Sequence, residues 1–116
     1  MFLKLNHKEL KVYTAIRELN REVYLLSNQL PELEKFNMVQ QVRRAVLSVK
    51  LNFAEGSTRR SEVERKRYSE MSRGSIVELD AAFETAVDLK YFKLEELQSF
   101  SELLNKCFAM ISKMMQ

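Results

Sequence analysis

Tryptophan is absent from this chain, and glycine, proline, histidine and cysteine are nearly so: two, one, one and one among 116 residues. Each scarcity excludes something. Two Gly and one Pro cannot punctuate the many turns of a β-rich fold. A single cysteine, Cys107, allows no internal disulfide, which fits a reducing cytoplasm. A single histidine, His7, cannot supply the two Glu-x-x-His motifs of a ferritin-like di-metal site. A Cys–His dyad would have to join Cys107 to His7 with no local motif in support. No Gly-rich phosphate loop, Cys-x-x-Cys pair or nucleophile elbow occurs. No apolar run approaches the roughly 18 residues of a membrane span. The start, MFLKLNHKEL, meets charge too early for a signal-peptide apolar region. These scarcities point away from an enzyme, a metal or cofactor site and a membrane protein. His7 reads as a surface or cap-adjacent residue, and Cys107 as a buried, inert thiol.

What is abundant is Leu, Glu, Lys, Arg, Met and Ala, all good helix formers. The chain length suits one domain with one core, residues 1–116. Four amphipathic segments are expected. The first covers His7–Leu30, with Asn6 as N-cap, Glu9 in the capping-box position and Leu5/Leu10 as a hydrophobic staple. Its stripe is Val12, Ile16, Leu19, Val23, Leu26 and Leu30, and Pro31 ends it. The second covers Met38–Glu55, with Asn37 and Gln40 repeating the cap pattern and Val42, Val46, Val49 and Phe53 as its stripe. Leu47 and Leu51 fall on another side, either broadening the core face or meeting a second subunit.

Gly56 is placed as the C′ residue of the second segment. Ser61 and Glu64 then form an S-x-x-E capping box opening a third helix, Glu62–Lys90. Its stripe is Tyr68, Ser75, Leu79, Ala82, Ala86 and Leu89, flanked by Met71, Ile76, Phe83 and Val87. Gly74 lies in mid-helix, where it costs about 1 kcal/mol relative to Ala; the usual return is close approach of another helix or of a partner. The fourth helix covers Glu95–Met115, with Leu97, Phe100, Leu104, Cys107 and Ile111 in its stripe. The expected fold is all-α, an antiparallel up-down-up-down four-helix bundle.

Charge is segregated along the chain. The net charge is +3, yet residues 40–75 carry nine Lys/Arg against four Glu, whereas residues 76–116 carry four basic against seven acidic. About a turn centred near residue 58, Arg44 is expected level with Arg73 and Lys50 with Arg67, with Arg59 and Arg60 at the tip. Arg59 and Arg60 also precede a helix N-terminus, where the dipole disfavours cations. Arg43, Arg44, Lys50, Arg59, Arg60, Lys66, Arg67 and Arg73 are therefore candidates for contacting phosphates or an acidic partner surface. The competing reading is a solvated charged face. Tyr68 is the patch's one aromatic residue, so backbone or shape recognition is expected rather than base stacking. Asn52, Glu55, Gly56, Gly74, Ser75 and Glu78 form a second constellation on the edge of the core. Polar groups there must be hydrogen-bonded, and a network locking the helix ends, with Glu55 bound to a nearby Arg, is favoured over a ligand site.

At these residues the sequence resembles a known family. The pattern is Gln41, Arg43, Arg44, Ala45, then Asn52, Ala54, Glu55, Gly56, Arg59, Ser61, then Gly74, Ser75, Glu78, Leu79. It is similar to the small four-helix-bundle proteins encoded in intervening sequences of bacterial 23S rRNA genes, often labelled ribosomal proteins. The accessory variability protein of diversity-generating retroelements belongs to the same fold family. The resemblance takes in Leu10–Tyr13 and Leu89–Phe92; Phe53 departs from it, standing where an aliphatic residue is expected. The resemblance implies a four-helix bundle and a homo-oligomer, in the form of a barrel-like pentamer. It implies a basic surface that binds nucleic acid, RNA above all, and no catalytic residue. The alternative it implies is a protein-interaction scaffold serving a reverse-transcriptase-like partner.

Overall fold

The computed structural model describes residues 2–116, except the side chain of Glu9. Helix α1 spans Lys11–Ser27, α2 Met38–Gly56, α3 Glu62–Asp88 and α4 Gln98–Met114. Short 3₁₀ turns at Asn6–Glu9, Glu32–Glu34 and Leu94–Leu97 precede α1, α2 and α4. The helices pack in ring order, α1 on α2, α2 on α3, α3 on α4 and α4 on α1. Cross-helix contacts run in opposite chain directions, as in an up-down-up-down bundle. Tyr13 stacks near Phe53 while Asn20 bonds to Val46, and Phe83 meets Phe100 while Arg73 reaches Ser112.

Every member of the first two expected stripes is buried: Val12, Ile16, Leu19, Val23, Leu26 and Leu30, and Val42, Val46, Val49 and Phe53. On α3 the buried set is Ser72, Ser75, Ile76, Leu79, Phe83 and Ala86. Leu89 and Met71 are exposed, so the stripe on α3 lies nearer Ile76/Phe83 than expected. On α4, Leu97, Phe100, Leu104, Cys107 and Ile111 are buried as expected.

The N-terminal cap differs from expectation. Asn6 lies inside a 3₁₀ turn, with no capping bond from its side chain among the described residues, and the chain is extended at Leu10 (φ −75°, ψ 143°), which takes the N-cap place of α1. The expected partner, the Glu9 side chain, lies outside the described residues. The break lets the turn fold back and bury His7 against Tyr13 and Phe53, at 5.0 and 6.2 Å between ring centroids. His7 is thus an interior residue and not a surface one; burial of its ring outweighs continuation of the helix.

The start of α2 is also capped from a distance. Asn37 makes no side-chain capping bond. Instead the buried Glu34 carboxylate accepts from the Met38 N–H (3.4 Å), Asn37 Nδ2 (3.2 Å) and Tyr91 Oη (2.8 Å). A carboxylate suits the positive end of a helix. Its bond to Tyr91 pushes that phenol's pKa up.

Ser61 caps α3 by accepting from the Glu64 N–H at 3.3 Å, as expected, but the returning Glu64 side-chain bond of the expected capping box is absent among the described residues. Helix α3 ends two residues earlier than Lys90, because Lys90 turns left-handed (φ 64°) and lets Tyr91 N–H bond back to Ala86 O.

Gly74 carries no contact that its small size permits: a Cβ placed there meets nothing within 4 Å. No neighbouring helix of the same chain explains it. Gly74→Ala should therefore raise the unfolding free energy by about 1 kcal/mol through helix propensity. Urea unfolding of the two proteins checks this, and an unchanged midpoint would contradict it.

Candidate nucleic-acid interface

The seam between α2 and α3 is built from small and hydroxyl side chains. Ser72 Oγ donates to Val49 O at 2.7 Å, Ser75 Oγ to Ser48 Oγ at 3.0 Å, and Asn52 Nδ2 to both Ser48 O and Oγ at 3.0 and 2.9 Å. A Cβ on Gly56 would meet Tyr68 Cβ at 2.5 Å. Gly56 is the last residue of α2, without positive φ. It is therefore not the C′ residue expected; it is glycine because Tyr68 lies against it. Glu78 is exposed.

These contacts set a register that the turn alone does not. Gly56 opposes Tyr68, Val49 opposes Ser72 and Ser48 opposes Ser75. Lys50 therefore comes level with Arg73 rather than Arg67, and Arg44 with Leu79 rather than Arg73. The reason is that Ser57–Ser61 runs outward before α3 starts, so the first turn of α3 projects past the end of α2.

That projection carries the cationic tip. Arg59 pairs with the Glu55 carboxylate, donates to Tyr68 Oη at 3.2 Å and lies 5.2 Å from the Tyr68 ring centroid. Arg65 donates to the carbonyls of Arg59 and Arg60 at 3.0 and 2.6 Å, pinning the loop. Lys66 lies 3.7 Å from Glu62. The side chains of Arg60 and Arg67 are exposed and make no hydrogen bond or ion pair among the described residues. Beneath the tip, a cleft of about 220 Å³ is lined by cations Arg65 and Lys66 together with Glu62, and by Phe53, Gly56, Ser57, Ser69 and Met114.

The remaining candidates lie elsewhere. Arg43 joins α2 to the end of α1, donating to Ser27 Oγ and Asn28 Oδ1, both at 2.8 Å, with its guanidinium 5.4 Å from the Tyr24 ring centroid. Arg73 joins α3 to α4, donating to Ser112 Oγ at 3.2 Å beside Phe108. Lys50 lies 5.8 Å from the Tyr13 ring centroid, in a hollow that also gathers Lys8 and Arg17. The eight cations thus divide. Arg59, Arg60, Lys66 and Arg67 occupy the tip, Lys50 the α1–α2 face, Arg44 the exposed outer side of α2, and Arg43 and Arg73 helix–helix bonds. Arg65, Lys8 and Arg17 were not singled out from the sequence. Arg65 lay within the basic run, but Lys8 and Arg17 gain their place only once α1 pairs with α2.

Among the described residues no group of three or more His, Cys, Asp or Glu could hold a metal ion. No helix among them is long and apolar enough to cross a membrane. Burial pushes the Cys107 thiol up to about 12, so little thiolate, the reactive form, is present at neutral pH. His7 is lowered from its ordinary 6.5, first by burial and then by Lys8, and its Nε2 has no hydrogen-bond partner among the described residues. The unfolded chain therefore takes up a proton near pH 6.5 that the folded chain resists. Stability contributed by the neutral ring is fully present above that pH and falls as the pH drops below it. Urea midpoints at pH 7.5 and 5.5 should differ more for the native chain than for His7→Phe; equal differences would refute this.

A search of curated proteins finds no match to this chain. A family model described as 23S rRNA-intervening sequence protein matches residues 8–113, which takes in α1, α2, α3 and all but the last residue of α4, with the α2–α3 seam and the cationic tip, and the chain belongs to that family.

Proposed function

We propose that this chain is a non-enzymatic, homo-oligomeric protein that binds RNA through phosphate contacts. The observation that carries the reading is the tip of the α2–α3 hairpin. Five cations fall between Arg59 and Arg67, and the loop holding them is pinned by Arg65. Exposed Arg60 and Arg67 are the foremost contacts, with Arg59 and Lys66 beside them. Arg44 and Lys50 extend the positive surface along the body, while Arg43 and Arg73 act by holding helices together. Guanidinium groups suit this work because their planar forks match phosphate oxygens. The exposed Leu47 and Leu51 support self-association, with a pentamer as the expected size. The setting proposed is the cytoplasm.

The test is RNA binding by the purified protein at about 50 and 200 mM salt, beside the Arg59→Glu/Arg60→Glu variant. With some five phosphates neutralised, counterion release weakens binding roughly a hundredfold across that range. The double reversal removes two contacts and adds two repulsions, and should weaken binding to many sequences alike, at least tenfold at low salt. A folded native protein that binds no RNA at about 50 mM salt overturns the reading. Recovery of one acidic protein partner in its place would favour the scaffold alternative, including service to a reverse-transcriptase-like enzyme.

A further inference from the structure

A hollow of about 180 Å³ opens beside the start of α1, and the described residues that line it are three cations and two rings: Lys8, Arg17, Lys50, Phe2 and Tyr13. None of the three cations makes an ion pair among the described residues. Like charges gathered in one hollow disfavour one another, and an anion seated among them relieves the repulsion. Arg17 stands one turn beyond Tyr13 on α1, and Lys50 approaches from α2, 5.8 Å from the Tyr13 ring centroid. Lys8 Nζ donates to Leu3 O at 2.6 Å, which ties the first residues of the chain to the edge of the hollow. An ammonium carries three donors, so this bond leaves others for a ligand. The two rings differ. Tyr13 is buried against His7 and Phe53 and forms the floor. Phe2 is 89% exposed, a flat apolar ring standing in water at the rim. In the basic run itself the one aromatic is Tyr68, and that ring is taken up by Arg59 and Glu55. Folding supplies a free ring by bringing Phe2 beside cations of α1 and α2.

We propose that this hollow is a nucleotide subsite for single-stranded RNA: Lys8, Arg17 and Lys50 hold a phosphate, and the adjoining unpaired base stacks on the ring of Phe2. This rests on the RNA reading above and deepens it by adding a preference for unpaired strands. A duplex keeps its bases stacked on one another and has no face to offer the ring, whereas a single strand can turn one base out. Every base has such a face, so the subsite selects for strandedness and not for sequence. Lys50 lies six residues before Gly56, about 9 Å along α2. A strand that crosses the cationic tip therefore reaches the hollow within a few nucleotides.

The test measures binding of the full chain, with no residues added before Met1, to a short single-stranded RNA and to a blunt RNA duplex of the same length. The native chain is expected to favour the single strand. Phe2→Ala removes the ring and no charge. It should weaken single-strand binding about fivefold or more, the loss of one stacked base, and leave duplex binding within about twofold. Phe2→Tyr keeps the ring and should bind as the native chain does. Arg17→Ala/Lys50→Ala should make the salt dependence of single-strand binding shallower by roughly 0.7 in log–log slope, the share of one phosphate, while Phe2→Ala leaves that slope unchanged. Phe2 and Arg17 are exposed and Lys50 is half-buried, and circular dichroism confirms that each variant is folded. A native chain that binds neither RNA would overturn the RNA reading itself. A native chain that binds RNA would overturn only the subsite in any of three cases: it favours the duplex, Phe2→Ala loses no single-strand affinity or loses both affinities alike, or Arg17→Ala/Lys50→Ala keeps the native salt slope.

Discussion

Phe53→Ala should lower the unfolding free energy by about 3–5 kcal/mol, the cost of removing a buried aromatic ring. Phe53 is buried, stacks 6.0 Å from Tyr13 and holds the edge of His7 at 6.2 Å. It also lines the cleft beneath the cationic tip. Its loss opens a cavity where three elements meet, and the 3₁₀ turn bearing His7 loses one of its two aromatic supports. The departure from an aliphatic residue at this position has a physical reason in that nest: a ring at this position packs against both Tyr13 and His7, which already meet each other at 5.0 Å between centroids. Urea unfolding followed by circular dichroism measures the effect. Val63→Ala, at an exposed position on α3, is the control and should stay within about 0.5 kcal/mol. A Phe53→Ala loss below about 1 kcal/mol would contradict the central place given to this ring.

Gly56→Val should cost about 3 kcal/mol, the upper part of the usual range for overpacking. The obstacle is Tyr68 Cβ, 2.5 Å from where the new Cβ would stand. Both atoms are attached directly to helix backbone, so neither can swing away, and α2 and α3 must part at this end. Tyr68 would be displaced from Arg59 and Glu55, with which it bonds, and the tip would lose its fixed shape. RNA binding should then weaken even though no cation has been removed. Denaturant midpoint and RNA affinity, measured on one preparation, separate the two effects. A variant of native stability would show that the seam at Gly56 is not tight. A destabilised variant that still folds and binds as the native chain does would show that the shape of the tip is immaterial.

The helices and most of the core were legible from the residues in order. Val12 to Leu30 and Val42 to Phe53 repeat at helical spacing, and a helix in water buries its apolar stripe whatever it packs against. The Ser61 cap was legible for the same reason: its partner, the Glu64 N–H, lies three residues away. The basic run was visible as composition. What each cation does was not, because their partners are distant in sequence: Arg43 on Ser27 and Asn28, Arg73 on Ser112, Lys50 beside Lys8 and Arg17.

Tertiary structure alone decided the register of the α2–α3 hairpin, since Gly56, Ser72 and Ser75 settle how closely and at what level two helices meet. It alone buried His7, where packing on two rings outweighed the local cap signal at Asn6. It alone made Glu34 the cap of α2, because a carboxylate three residues before an N-cap shows its purpose only when Tyr91 and Met38 converge on it. Periodicity reports which side of a helix faces inward; it carries no information about which helix stands opposite. In this protein, that second choice separates the arginines that bind the bundle together from those left on the tip.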